Sequence, residues 1–196
     1  MHEIIINILK VTHILTAVLM AWPYYALVLV NQRAQLGPPL GDRTDTYMEN
    51  IIKNRTIPCF VFQITALITG LALVQLRWGM EALFTNPILL AKFSLLILIM
   101  ILLMFVYFVL QPKIDNLFAQ AKGSVPVPAE IASQIITFRI RRKRMASVCM
   151  FVVLIIVMLG TQVYTIFPAW LTAVMVLCIA AFTWRTYKST TPLGWI

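Results

Sequence analysis

Two side chains carry chemistry into otherwise apolar stretches of this sequence, His13 and Lys92. His13 lies in the apolar run Ile4 to Val30, while the other histidine, His2, precedes that run and reads as solvated. Lys10, His13, Ala17, Met20 and Tyr24 recur at helical spacing and share a face. Thr16, Ala17 and Ala21 are small, so a flat cofactor or a second helix can approach closely there. A neutral imidazole is a common ligand of haem iron. It is equally a hydrogen-bond partner for a neighbouring helix, and the sequence leaves both open. If His13 holds iron, a second axial ligand must come from Lys92, a methionine or another chain, or be missing, because only His2 can pair with it within this chain. Lys92 can snorkel toward the membrane surface or act as counter-ion to a carboxylate such as a haem propionate.

The other polar residues within apolar runs are Gln63, Thr65, Thr69, Thr161 and Gln162. Gln75, Arg77, Glu81 and Gln162 fall toward the same end as His13 and Lys92, which suggests one polar cluster in that half of the molecule. No Asp or Glu lies deep in a run, which argues against a pump worked through buried acids. No Ser-His-Asp set, carboxylate pair or phosphate-binding loop is visible. Cys59, Cys149 and Cys178 sit in apolar runs without a CxxC pair, so the expectation is buried, inert thiols rather than a disulfide framework or zinc site. The ten methionines are scattered and suit packing better than a copper path.

These residues must be positioned by helices in lipid. The chain is 61% hydrophobic and only 12% charged, against about 25% charge in soluble domains, and its mean hydropathy is +0.88. A membrane-spanning helix takes about 20 residues, so the pattern predicts an all-α, polytopic membrane bundle of about five transmembrane helices forming one domain over 1–196. The expected spans are 4–30, 56–76, 87–111, 145–163 and 169–184. The first run is too long for a signal-peptide core and lacks a basic leader, so it is read as a retained helix, bent near Pro23. Gly37, Pro38, Pro39 and Gly41 break helix. Thr46 and Glu49 have capping-box spacing, which predicts a short amphipathic helix running into the second span. Pro87 is expected to open the third span and Pro112 to end it. Gly123 to Pro128 reads as a linker, 130–144 as a helix continuing into the fourth span, and Phe167-Pro168 as a turn into the fifth. Asn54-Arg55-Thr56 matches a glycosylation sequon but abuts a span and is discounted.

The net charge is +9. The basic residues cluster between apolar runs, which is a topology signal rather than a nucleic-acid footprint. Lys and Arg crowd the first loop, the third loop and the tail, so those segments are expected in the cytoplasm, with the N-terminus outside and the C-terminus cytoplasmic. The run Arg139 to Arg144 reads as an orientation anchor, compatible with acidic lipid headgroups. Trp78 and Trp170 on one side, and Trp184 and Tyr187 on the other, suit interfacial belts.

Lys10-Val11-Thr12-His13-Ile14-Leu15 resembles the KxxHI/L opening of a superfamily of small helical membrane proteins. It includes the HemJ-type protoporphyrinogen oxidases, the CopD copper-resistance proteins and a family of uncharacterised integral membrane proteins, the last being the closest in overall pattern. Leu89-Leu90-Ala91-Lys92-Phe93 is similar to the HxKL motif of the HemJ type, with Leu90 in place of the histidine. The likeness covers about residues 4 to 163; the first loop is longer here and the fifth span is additional. It implies cofactor-binding roles for His13 and Lys92, with His13 on the iron of haem b. It leaves open whether the chain is a HemJ-like oxidoreductase. The expected function is an integral membrane subunit, in a bacterial inner membrane, serving electron transfer or haem handling in a larger complex. The alternative is a cofactor-free accessory subunit of a respiratory or photosynthetic complex. Either way the expected partners are the lipid bilayer and other membrane subunits, with no nucleic acid.

Overall fold

Each long apolar run is a helix, and the polar stretches between them mostly lengthen those helices instead of interrupting them. The structure, a computed structural model, describes residues 2–31, 40–121 and 127–188, apart from the side chains of His2, Asn31, Asn54 and Arg55. The breakers Gly37 to Pro39, most of the linker beginning at Gly123, and the tail ending at Ile196 lie outside the described residues, as does the His2 side chain. The elements are α1 (His2–Asn31), α2 (Arg43–Arg77), the single turn α3 (Ala82–Thr85), α4 (Pro87–Phe105), α5 (Gln111–Gln120), α6 (Ala129–Gln162) and α7 (Ala169–Lys188). A π-helical turn, Val106–Leu110, joins α4 to α5 in one rod. Five helical segments are long and apolar enough to cross a membrane: Glu3–Val30, Arg43–Arg77, Pro87–Gln120, Ala129–Gln162 and Ala169–Lys188.

The second and third segments depart from the expected local signals. Asp42, not Thr46, caps α2: its carboxylate accepts from the Asp45 N–H at 2.6 Å. Glu49 is therefore not a capping-box partner, and its carboxylate turns to α6 instead. An acidic cap one turn earlier competes better for the orphan N–H groups of the first turn. Pro112 does not end the third segment, because the π turn before it changes the hydrogen-bond register. The Gln111 N–H reaches back five residues to the Val106 carbonyl, and Pro112 falls in the first turn of α5, where it needs no N–H donor. At the other end Asn86 caps α4, accepting from the Ile88 and Leu89 N–H groups, and Pro87 opens the helix as its type predicts.

Four of the five segments form a ring. α1 packs on α2 and α6, and α4 packs on the same two helices from the opposite corner. Antiparallel neighbours follow from the pairings of His13 with Thr69, Tyr24 with Gln63, and Gln111 with Arg142. α7 lies outside the ring, against α6 and the edge of α1. The core runs through Met20, Tyr24, Cys59, Leu96, Ile99, Met150 and Val153. α6 is the central helix, with 50% of its apolar stretch buried, against 17% for α1 and 11% for α7. The first and last segments thus present most of their apolar surface outward, as helices solvated by lipid do.

Candidate functional site

His13 and Lys92 come together in the ring. Both line a central cleft of about 70 Å³, along with Ala17, Gly70, Leu96 and Ile156. The ring of His13 presses on Gly70, where a Cβ would lie 3.1 Å from His13 Cε1. Glycine lets the two helices approach closely there, since a Cβ would require the imidazole to give by a few tenths of an ångström. Gly160 plays a softer version of the same part for Lys92, with its virtual Cβ 3.3 Å from Nζ.

The histidine is held across helices. Its Nδ1 lies 3.0 Å from the Thr69 hydroxyl oxygen. The Thr69 hydroxyl donates to the Thr65 carbonyl at 2.6 Å, so its oxygen accepts from Nδ1–H. That assignment leaves Nε2 with the imidazole lone pair. A hydrogen bond that fixes the tautomer from behind is how a metal-ligating histidine is commonly supported. It is also how a buried histidine ties two membrane helices together.

The volume weighs against a porphyrin in this packing. A cleft of this size holds roughly two water molecules, whereas pockets for organic ligands run to about 300–1,000 Å³. The donor chemistry of His13 suits haem iron; the space between α1, α2, α4 and α6 does not admit the macrocycle unless a seam opens. Among the described residues no group of three or more His, Cys, Asp or Glu side chains converges as a metal site.

The other polar residues do not join this cleft. Lys10 leans over the Tyr164 ring at 4.9 Å, and Arg77 stacks near Trp78 and Tyr164. Gln75 and Glu81 are exposed. Gln162 donates to the Thr172 hydroxyl at 3.0 Å, tying α6 to α7. Deeper in the ring, the buried Gln63 amide donates to the Tyr24 hydroxyl, a second tie between α1 and α2. Cys59 and Cys149 are buried thiols as expected; Cys178, on the outer helix α7, is exposed.

The largest polar assembly lies at the opposite end and was missed in the basic run. Arg139 and Arg142 are fully buried rather than surface anchors. Arg139 clamps Asp45 through both terminal nitrogens, at 2.8 and 2.9 Å, and reaches Glu49 at 3.1 Å. Arg142 clamps Glu49 at 2.6 and 3.0 Å and donates to the Gln111 side-chain oxygen at 2.6 Å. The Gln111 amide in turn donates to Glu49 and to Asp115, which pairs with the exposed Lys53. Two guanidiniums thus neutralise two carboxylates, and the network joins α2, α5 and α6. Of the run, only Arg141 and Arg144 are exposed as an orientation anchor requires. The signal was present in the spacing: Asp45 and Glu49 are four apart, and Arg139 and Arg142 three apart, so each pair shares a helix face.

No family profile matches this sequence, and no curated protein or solved structure matches it significantly.

Proposed function

We propose that this protein is an integral membrane accessory subunit, a stiff helical scaffold that packs against other membrane chains. The observation that carries this reading is the use to which its interior polar groups are put. His13 bonds to Thr69, Gln63 to Tyr24, and Arg139 and Arg142 to Asp45, Glu49 and Gln111, each across a helix boundary. Side chains capable of chemistry instead hold the helices in register. The weakly covered α1 and α7 are the faces through which a larger assembly would be built. Purification in mild detergent followed by native mass measurement tests this reading. It expects co-purifying membrane chains in fixed ratio; a monomer with turnover of its own contradicts it.

A second reading is a haem-handling or electron-transfer protein with His13 on the iron of haem b and Lys92 beside a propionate. The tautomer set by Thr69 favours it, since that leaves Nε2 able to bind metal. It requires the lightly packed seam between α2 and α4 to widen. A Soret band that disappears in His13→Ala would support it.

A further inference from the structure

A second recess lies on the outside of the ring, in the angle between α1, α6 and α7. It has a volume of about 390 Å³ and is lined by Val18, Trp22, Tyr25, Met150, Leu154 and Phe182. Its floor is α6. Met150 and Leu154 sit seven and eleven residues after Lys143, so the three share one helix face. Lys143 stands at the basic end of that stripe, with Leu154 about 16 Å away at 1.5 Å per residue. One leaflet of a bilayer's hydrocarbon core is about 15 Å thick.

Lys143 differs from its neighbours in the basic run. Arg139 and Arg142 face the carboxylates of α2, whereas Lys143 faces α7, with its ammonium over the Tyr187 ring at 4.8 Å. It is 1% exposed, and among the described residues its Nζ has no hydrogen-bond acceptor. The ring face offsets only part of an ammonium's lost hydration. One turn further in along α7, Thr183 Oγ1 is also buried without a hydrogen-bond partner among the described residues. Neither α7 nor α6 from Arg139 onward contains an Asp or Glu, while Arg144, Arg185 and Lys188 add positive charge at the same end. Two unanswered donors therefore lie on the basic side of the recess without lining it, Lys143 about 10 Å along α6 from Met150 at 1.5 Å per residue and Thr183 next to Phe182, in a field that attracts anions.

We propose that this recess binds an anionic phospholipid. One acyl chain lies in the groove over Met150 and Leu154. The Lys143 ammonium takes a phosphate oxygen as the Tyr187 ring swings aside, and the Thr183 hydroxyl donates to the ester carbonyl one turn deeper. The site rests on the chain residing in a bilayer and is independent of whether it serves a larger complex.

Delipidated full-length protein, titrated with phosphatidylglycerol or phosphatidylcholine of identical chains and followed by native mass spectrometry, tests this. Wild type should retain phosphatidylglycerol about fivefold more tightly, the increment of one basic residue at a membrane surface. Lys143→Gln should erase the preference while still binding both lipids, and Lys143→Arg should keep it. Leu154→Trp, which fills the groove, should weaken both lipids. Equal retention of the two lipids by wild type would overturn the proposal, as would equal loss of preference in the exposed control Arg141→Gln. Inorganic phosphate bound as well by Leu154→Trp as by wild type, with lipid retention unchanged in that variant, would mean that a free anion and not a lipid is the ligand. Monodisperse elution and an unchanged helical spectrum show that each variant has folded, so that failure here leaves the subunit reading standing.

Discussion

Glu49 is the pivot of the buried ion network, and cutting it out should show how far the basic end of the bundle depends on that network. Its carboxylate accepts from both terminal nitrogens of Arg142, from Arg139 and from the Gln111 amide. The Arg142 and Arg139 side chains are 0% and 1% exposed, and that of Glu49 10%, so water cannot replace a lost partner without the helices parting. Breaking a buried pair by removing one member costs about 3–5 kcal/mol, because the remaining charge is left uncompensated. Glu49→Gln and Arg142→Met should each lose that much in a dodecyl sulfate unfolding titration followed by circular dichroism. The double variant Glu49→Gln with Arg142→Met removes both charges together. It should recover about 2 kcal/mol or more relative to the sum of the single losses, since coupled neighbours fail additivity by about 0.5–3 kcal/mol. Single variants within about 0.5 kcal/mol of wild type, the range of ordinary surface changes, would show that the network is not sealed from water and does not hold this end together.

The other end of the ring offers a matched pair of glycine substitutions. Gly70→Ala should destabilise by about 1–3 kcal/mol as an overpacked site, since its Cβ meets the fixed imidazole. Gly160→Ala should stay within about 0.5 kcal/mol, because it meets only the mobile tip of Lys92. His13→Ala should cost about 1–3 kcal/mol in the same titration through loss of the tie to Thr69. In a background lacking the three native cysteines, a cysteine at Gln75 should react with impermeant thiol reagent added to intact cells, and cysteines at Gln120 and Glu130 should be protected; the reverse pattern would invert the orientation.

Apolar run length placed the five helices, because in a chain of this composition hydropathy alone determines which segments can leave water. The prolines were harder. Pro87 matched its role, but Pro112 was read as a stop because an upstream π turn that accommodates it has no marker in composition. His13 and Lys92 were rightly paired in one half of the molecule, since both needed the same apolar depth. What they could hold depended on helix separation, which spacing along one chain does not encode. The basic run was misread for a different reason. A charge cluster beside an apolar run matches the orientation rule whether its members point to water or to carboxylates 93 and 94 residues away in sequence. Only pairing the two acidic positions on α2 with the two basic positions on α6 separates those cases.

In the proposed scaffold, interior polar side chains, His13 above all, join helices instead of holding a cofactor. The most direct measurement is the visible absorption spectrum of the protein purified with its partners in mild detergent, wild type beside His13→Ala. The scaffold role requires spectra that superimpose between roughly 380 and 600 nm, the haem absorption region, whatever haem other chains contribute. A Soret band in wild type that His13→Ala removes or shifts, in a variant that still inserts and assembles, would contradict it.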